Sequence, residues 1–211
     1  MGQIHNITKL TDNRFVNLYN VKATSVHNTP VDYFVASRAK AVEQMKVKTR
    51  KNTPDGVIIY SVYGEKKDQV VLIRQYRYTI GDYIYEFPAG LVEPGEDFKT
   101  GAIREMLEET GLTFQPITVD PAYEKPYFTT VGLTDESCAT VYGYASGKIS
   151  AEAQEDTEEI QVVLADKVEV RRILREENVA IMCAYMMMHF LQDEEPFEFL
   201  KKDLFHTTND R

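Results

Sequence analysis

The stretch GLVEPGEDFKTGAIREMLEETGL, residues 90–112, places Glu105, Glu108 and Glu109 within five consecutive positions. Side chains three and four positions apart are neighbours on a helix, so these three carboxylates would share one face and repel one another. Only Arg104 offers a compensating charge inside the cluster, whereas solvated helix faces usually alternate the signs of their charges. A hard divalent cation with oxygen ligands would remove the repulsion, and the pattern therefore indicates a metal site.

The spacing of apolar residues from Glu96 onward predicts that this stretch is an amphipathic helix. The predicted apolar stripe contains Phe98, Ala102, Ile103, Met106 and Leu107. The negative charges of Glu96 and Asp97 would interact favourably with the N-terminal end of the helix dipole, and Gly111 can adopt the left-handed conformation of a C-cap.

The composition describes an ordinary packed protein of 211 residues, with 43% hydrophobic and 27% charged residues. This length allows one domain with an appendage. The formal net charge is -9, and no basic face overrides it, so nucleic acid is a poor partner. A small anionic ligand remains compatible with this charge if a cation mediates its binding.

Cysteine usage and the termini favour a cytoplasmic protein. Cys138 and Cys183 are too few for a disulfide framework or a thiolate metal site, and we interpret both as small buried hydrophobes. The first fifteen residues lack the apolar core of a signal peptide. The apolar run 179–191 is too short to span a bilayer, so we expect no membrane partner.

Turn signals and apolar runs predict how the chain is organised. Two short extended patterns, residues 14–24 and 31–38, favour a small N-terminal antiparallel β unit. The Pro-Asp-Gly signal after Thr53 predicts a boundary there, giving domains 1–52 and 53–211. Further strands are predicted at 56–63, 69–78, 82–90, 137–146 and 159–165, and helices at 167–177 and 179–192. The fold class is therefore α/β, a mixed sheet with helices on its faces.

The opening stretch resembles the Nudix box at every fixed position. Gly90 is followed after five residues by Glu96, and after seven more by Arg104-Glu105-Met106-Leu107-Glu108-Glu109-Thr110-Gly111-Leu112. The resemblance implies an α/β/α sandwich that hydrolyses a nucleoside diphosphate linked to another moiety. It also implies two or more Mg²⁺ or Mn²⁺ ions in the working complex. The resemblance implies that Glu105, Glu108, Glu109 and the carbonyl of Ala89 bind the metal, and that Glu96 lies nearby or binds it through water. It also implies that Arg104 orients the carboxylates.

Beyond the box, EFPAGLVEPGE and LIRQYRY resemble the ADP-ribose pyrophosphatase group of nucleotide-sugar hydrolases. In that group the N-terminal unit commonly exchanges with a second subunit, so the resemblance implies a homodimer whose nucleotide site involves residues 1–52. It also implies a catalytic base on an acidic loop before a late strand. Glu158 matches best, and Glu155, Asp156 and Glu159 remain alternatives.

The same resemblance implies substrate contacts outside the box. The aromatic residue that stacks on the base would be Tyr33 or Phe34, and the phosphates would meet Arg38 and Arg77. Glu136 of the TDE segment is a further candidate. Members of the group carry a proline in this segment where the present chain has Val131, which weakens the substrate assignment and leaves the chemistry intact.

The sequence therefore predicts Mg²⁺-dependent hydrolysis of ADP-ribose to AMP and ribose 5-phosphate. One alternative is hydrolysis of another nucleotide sugar such as GDP-mannose. Oxidised nucleoside triphosphates rank lower as substrates, because enzymes that hydrolyse them typically lack the N-terminal unit. A ligand-binding regulator without catalysis is the alternative from another class, although such proteins tend to lose box carboxylates and this chain keeps them all.

Overall fold

A computed structural model describes residues 1–154 and 159–201 of the chain. The chain folds into two compact units, of which the first contains Met1–Asp55 and Pro126–Cys138. The second contains Gly56–Lys125 and the chain from Ala139 onward. The predicted roles of residues 1–52 in dimerisation and base recognition stay predictions.

The strands and helices follow one another along the whole described chain. The strands are β1 (Gln3–Lys9), β2 (Asn17–Thr24), β3 (Pro30–Ser37), β4 (Gly56–Tyr63), β5 (Gln69–Arg77), β6 (Asp82–Glu86), β7 (Ala89–Leu91), β8 (Thr113–Pro116), β9 (Tyr127–Phe128), β10 (Ser137–Ser146) and β11 (Ile160–Ala165). The helices are α1 (Lys46–Thr49), α2 (Phe98–Thr110), α3 (Pro121–Glu124), α4 (Lys167–Glu176), α5 (Ile181–Gln192) and α6 (Glu198–Lys201).

The first unit is built on the antiparallel sheet β1-β2-β3. Strands β2 and β3 pair without a break from Asn17 opposite Ser37 to Thr24 opposite Pro30. Strand β1 was not predicted, because Ile7 is its only buried side chain and a sequence pattern needs alternating burial to reveal a strand. The apolar core of this unit contains Ile7, Tyr19, Val21 and Met45.

The second unit is a mixed sheet between two layers of helices. The strand order is β11-β5-β4-β10-β8, with β6 also paired to β5 and β7 to β4. Along β4, Val57 and Ile59 pack with Ala102 of α2, whereas Tyr60 and Val62 pack with the residues of α4 and α5. Successive side chains of a strand point to opposite faces, so the sheet is covered on both sides. The predicted α/β/α sandwich with an extra N-terminal antiparallel sheet is confirmed.

The C-terminal helices lie close to their predicted positions. Helix α5 begins at Ile181 and not at Val179, because Val179 forms a parallel β bridge with Tyr85. Cys183 is buried, as expected, whereas Cys138 is only half-buried. Within residues 1–154 and 159–201, no helix has the length and apolarity needed to cross a membrane.

Candidate active site on helix α2

Helix α2 is capped at both ends, by Asp97 at its N-terminal end and at its C-terminal end by Gly111, the C-cap that the sequence predicts. The carboxylate of Asp97 accepts the N–H groups of Lys99 at 3.0 Å and Thr100 at 3.3 Å. Gly111 ends the helix with a φ of 74°, and its N–H donates to the carbonyl of Leu107 at 2.8 Å. This left-handed cap favours glycine because other residues are strained there.

The predicted apolar stripe of α2 is partly wrong. Ala102 and Met106 are fully buried, but Ile103 is 43% and Leu107 is 52% exposed. Glu109 instead takes a buried position on the sheet side. Residues 102, 106 and 109 follow the i, i+4, i+7 spacing of one face, and Ile103 and Leu107 are rotated about 100° away from it.

Arg104 holds three carboxylates of the box together. Its Nε and Nη2 donate to the two oxygens of Glu96, each at 3.1 Å. Its Nη1 donates to Glu105 at 2.8 Å and to Glu108 at 2.9 Å. The hydrogen bond with Glu96 is the largest cause of a raised pKa at Arg104, and the same contact lowers the pKa of Glu96. One guanidinium therefore offsets the repulsion that the spacing of the acids creates.

Gly90 allows strand β7 to approach the carboxylate of Glu105 closely. A Cβ atom on Gly90 would lie 1.8 Å from Cδ of Glu105 and 2.0 Å from its Oε1. Any side chain at position 90 would therefore displace Glu105. The requirement for glycine here is one of space, since φ of this residue is not in the left-handed region.

Glu109 lies behind the other acids, between α2 and β7. Glu109 is only 3% exposed, and its Oε2 accepts the N–H of Ala89 at 3.0 Å. Burying a carboxylate is costly unless hydrogen bonds compensate for the lost water, and this contact supplies one. The sequence pattern placed Glu109 in the acidic cluster but did not indicate that it is buried.

The carboxylates of the box have the chemistry of cation ligands but are not arranged around a cation. Glu96, Glu105 and Glu108 are turned towards Arg104, and in the described ranges no three acidic, histidine or cysteine side chains are grouped closely enough to hold a metal. The donor chemistry nevertheless fits Mg²⁺ or Mn²⁺, because every predicted ligand offers oxygen.

The predicted phosphate contact Arg77 is described, whereas only one of the four candidates for the general base is. Nε of Arg77 donates to Glu86 at 2.6 Å, so this candidate phosphate contact is held by a carboxylate. Glu158 and its alternatives Glu155 and Asp156 lie outside the described residues. Glu159 is described, and its carboxylate accepts the hydroxyl of Tyr83.

The remaining candidates lie in the first unit. Nε of Arg38 donates to Glu136 at 2.8 Å, so these two predicted contacts are neighbours. Tyr33 lines a groove of about 510 Å³ together with Val131. Phe34 is 53% exposed and points to the opposite face of β3, because successive side chains of a strand alternate. Of the two aromatic residues predicted to stack on the base, only Tyr33 therefore faces a ligand in this groove.

Three contacts of the site were not predicted. Glu86 binds Arg77 although the strand register places Asp82 opposite Arg77 and Ile73 opposite Glu86, so the pairing of β5 and β6 does not indicate this contact. Gln154 donates through Nε2 to the carbonyl of Glu109 at 2.7 Å, and Tyr83 binds Glu159. No sequence signal indicates these last two contacts, because each joins residues that are distant in the chain.

Comparison with known proteins gives three similarities. A family model described as NUDIX domain matches residues 52–185. The chain is 36% identical over 130 residues to "Putative nudix hydrolase 2" of Caenorhabditis elegans, covering 61% of this chain and 54% of that protein. It is 39% identical over 69 residues to "ADP-ribose pyrophosphatase" of Saccharomyces cerevisiae, covering 32% of this chain and 30% of that protein. The chain thus matches about half of the first relative and less than a third of the second.

The fold also resembles that of a solved structure entitled "Crystal structure of ADP compounds hydrolase". The TM-score is 0.65, and the match covers 90% of this chain and 94% of that one. The sequence identity is only 17%, so this similarity concerns the fold.

Proposed function

The chain belongs to the NUDIX family, and from this membership we propose that it is a metal-dependent pyrophosphatase that hydrolyses a nucleoside diphosphate sugar. ADP-ribose is the first candidate substrate, with AMP and ribose 5-phosphate as products. The similarity to the yeast protein named ADP-ribose pyrophosphatase supports this choice. We also propose that the protein is a cytoplasmic homodimer whose two subunits exchange residues 1–52.

One observation carries the proposal. Arg104 gathers Glu96, Glu105 and Glu108 around one guanidinium, and Glu109 is buried directly behind them against Ala89. A purely structural helix gains nothing from a buried carboxylate beside three others, because each added charge costs desolvation and repulsion. Such a concentration of oxygen ligands is useful when cations must be held against an anionic substrate.

A pyrophosphate linkage resists attack by water because both of its phosphates are anionic. A divalent cation bound by Glu105, Glu108, Glu109 and the carbonyl of Ala89 would neutralise that charge and polarise the attacked phosphate. The chain itself supplies the arrangement of these oxygens. Arg104 keeps the carboxylates close together, and the hydrogen bond from Ala89 fixes one oxygen of Glu109.

The attacking water must lose a proton, and a carboxylate is a suitable acceptor at neutral pH. We propose Glu158 as this base, with Glu155, Asp156 and Glu159 as alternatives. Glu158→Gln is expected to lower kcat with little effect on metal affinity, because the residue would accept a proton without binding the metal.

Recognition of the nucleotide is assigned to residues outside the box. Tyr33 has an exposed ring for stacking on the base, and its hydroxyl is fixed by the carbonyl of Gly132 at 2.5 Å. Arg38 would contact phosphate or ribose and is oriented by Glu136. Arg77 is held by Glu86 in the same manner.

Hydrolysis of another nucleotide sugar, such as GDP-mannose, is the second candidate function. It is favoured by Val131, which replaces the proline expected in the ADP-ribose group and lies on the same groove as Tyr33. A change beside the predicted base site can alter which base or sugar fits.

The test is a panel of nucleotide sugars with Mg²⁺, containing ADP-ribose, ADP-glucose, GDP-mannose and UDP-glucose. Phosphomonoester products are measured with a coupled phosphatase. Glu109→Gln should lose roughly 100-fold or more of kcat, because it removes a charge from the metal site and keeps an oxygen for the N–H of Ala89. Glu93→Gln, a charge change on an exposed side chain before α2, is the matched control and should retain full activity.

Each outcome of the panel has a definite meaning. Turnover led by ADP-ribose supports the first candidate, and turnover led by GDP-mannose supports the second. A wild-type protein that hydrolyses no nucleotide sugar with Mg²⁺ or Mn²⁺ overturns the proposed function. Full activity of Glu109→Gln would remove Glu109 from the set of metal ligands.

A further inference from the structure

Helix α5 presents an apolar face to solvent. Its inner side carries Cys183, Met187 and Phe190, which are buried in the core of the second unit. Its outer side carries large apolar side chains with high exposed fractions: Ile181 at 65%, Met182 at 36%, Tyr185 at 61% and Met188 at 45%. Positions 181, 185 and 188 follow the i, i+4, i+7 spacing of one helix face, so these side chains form a continuous stripe. Contiguous exposed apolar surface of this kind is typical of a site where another molecule binds.

The exposed face of α5 carries no charge. None of the twelve residues of the helix is Asp, Glu, Lys or Arg, although the chain has a formal net charge of -9. Two copies of an acidic protein repel one another wherever charged surfaces meet, and an uncharged face avoids that repulsion. A helix that lies on a membrane surface is usually rich in Lys and Arg, which α5 lacks. The face therefore fits a second copy of this chain better than a lipid surface.

Opposite charges lie at the two ends of this face. Nζ of Lys167, at the start of α4, donates to the carbonyl of Asp193, just after the end of α5, so the two helices run antiparallel. Arg175 near the end of α4 therefore lies beside the start of α5, and its side chain is exposed. The exposed Glu194 and Glu195, here called the acidic pair, follow the other end of α5.

Arg175 is available for a contact with another molecule. The two acids that follow it in the chain, Glu176 and Glu177, lie 3.5 Å and 2.7 Å from Nη1 of Arg172. Among the residues that the structure describes, no carboxylate forms an ion pair with Arg175. A two-fold axis through the middle of α5 would place the start of one helix over the end of the other. Arg175 of each copy would then face the acidic pair of the other copy.

We infer that the exposed face of α5 binds the same face of a second copy of this chain, with the two α5 helices antiparallel about a two-fold axis. Tyr185 of each copy then packs against Met188 of the other, because these two residues lie on either side of the middle of the helix. Tyrosine, methionine and arginine are among the residue types enriched in protein interfaces. This contact is separate from the proposed exchange of residues 1–52 and does not rest on the proposed hydrolysis.

The size of the face indicates a weak contact. A helix of twelve residues is about 18 Å long at 1.5 Å per residue. Two such faces with their charged ends would bury an area on the order of 1,000 Å² in total, which is close to the lower limit for a specific interface. We therefore expect the association to depend on protein concentration.

The experiment measures the mass of the full chain in solution by sedimentation velocity at about 1–200 µM protein. The mass of the wild type should at least double over this range, because each copy carries one such face. Tyr185→Glu should raise the Kd of this step roughly 30-fold or more, since it places two charges at the centre of the contact. Because Tyr185 is 61% exposed, this variant should keep the fold.

Ile149→Glu is the matched control. It also adds one negative charge to an exposed apolar side chain of the second unit, but Ile149 is 46% exposed in a loop outside α4 and α5. This variant should associate as the wild type does. Equal weakening in Ile149→Glu and Tyr185→Glu would overturn the assignment of the contact to α5.

Charge reversal tests the antiparallel arrangement. Arg175→Glu should raise the Kd roughly 5-fold, and so should the joint replacement Glu194→Lys with Glu195→Lys, because each places like charges opposite one another. A chain that carries all three replacements should associate within about 2-fold of the wild type, because opposite charges face each other again. A triple variant that associates more weakly than either of the others would overturn this arrangement.

The inference and the proposed function fail separately. Equal masses of the wild type and Tyr185→Glu at every concentration would overturn the inference, whatever substrate the protein hydrolyses. A wild type that hydrolyses no nucleotide sugar but associates through α5 would overturn the proposed function alone.

Discussion

The guanidinium of Arg104 meets the carboxylate of Glu96 at two points, with Nε and Nη2 each 3.1 Å from a different oxygen. Glu96 precedes helix α2, and Arg104 lies in its middle, so this contact joins the loop to the helix. The remaining nitrogen of the same guanidinium binds Glu105 and Glu108. A planar fork can serve several carboxylates in fixed directions, which a single ammonium group cannot do.

Replacement of Arg104 by lysine should therefore impair the site although the charge is kept. We expect Arg104→Lys to lower kcat roughly 10- to 100-fold and to raise the Mg²⁺ concentration needed for half-maximal activity. The reason is that Glu96, Glu105 and Glu108 lose their common orientation. Steady-state kinetics with a Mg²⁺ titration would measure both effects.

Arg172 of helix α4 provides the matched control. It also binds several carboxylates, donating to Glu169 at 2.7 Å and to Glu177 at 2.7 Å, but it lies outside the Nudix box. Arg172→Lys should leave kcat and the Mg²⁺ dependence unchanged. Equal losses of kcat in Arg104→Lys and Arg172→Lys would show that Arg104 affects activity only through the stability of the fold.

Gly90→Ala should displace the carboxylate of Glu105, since the added Cβ would lie 1.8 Å from its Cδ. We expect a loss of about 1–3 kcal/mol in the free energy of unfolding, together with a loss of activity. Gly132→Ala is the control for stability, because a Cβ there meets no heavy atom within 4 Å. Chemical denaturation of both variants gives the comparison, and a Gly90→Ala protein as stable and active as the wild type would contradict the close approach.

The pair of Glu96 and Arg104 should make stability depend on pH. The pKa of Glu96 is lowered in the folded state below its ordinary 4.5, chiefly by the hydrogen bond from Arg104. The stabilisation is then fully present above the unfolded pKa and is lost as pH falls through the lowered folded pKa. The melting temperature of Glu96→Gln should lie below that of the wild type by a constant amount above about pH 6, and the gap should shrink below about pH 4.

Glu93→Gln serves as the control for this pH series, because the side chain of Glu93 is exposed. Its melting temperature should follow that of the wild type at every pH. A gap between wild type and Glu96→Gln that stayed constant down to about pH 3 would show that the ion pair does not carry the effect.

Val131→Pro should be tolerated by the fold. Leu133 donates its N–H to the carbonyl of Thr130 at 2.9 Å, so Val131 is the second residue of a β-turn, where proline is favoured. We expect the free energy of unfolding to rise by about 0.5–1 kcal/mol through the lower entropy of the unfolded chain. Thermal unfolding would measure the change.

The same variant tests whether residue 131 influences substrate choice. The side chain of Val131 is 71% exposed, so we expect the ratio of kcat/KM for ADP-ribose to that for GDP-mannose to stay within about 3-fold of the wild type. A larger change would make position 131 a determinant of specificity, and the absent proline would then be informative about the substrate.

Sequence patterns predicted those parts of the fold that depend on local order. Strand β10 has the predicted limits, and β4 and β5 agree within a residue or two, because long β-branched runs have a clear periodicity. Strand β1 was missed because its side chains are almost all exposed. Ile103 and Leu107 were assigned to the wrong face of α2, because apolar composition alone did not reveal that Glu109 lies towards the sheet.

The spacing of the box by itself determined that Glu105, Glu108 and Glu109 share a helix with Arg104, since positions three and four apart are neighbours on any helix. Only the tertiary structure decided that Glu109 is buried against Ala89, that Gly90 leaves room for Glu105, and that Tyr83 holds Glu159. Those contacts depend on how strands β6, β7 and β11 are placed beside α2 and beside one another. Helical periodicity is a property of a few consecutive residues, whereas these distances are set by the pairing of strands that are remote in the chain.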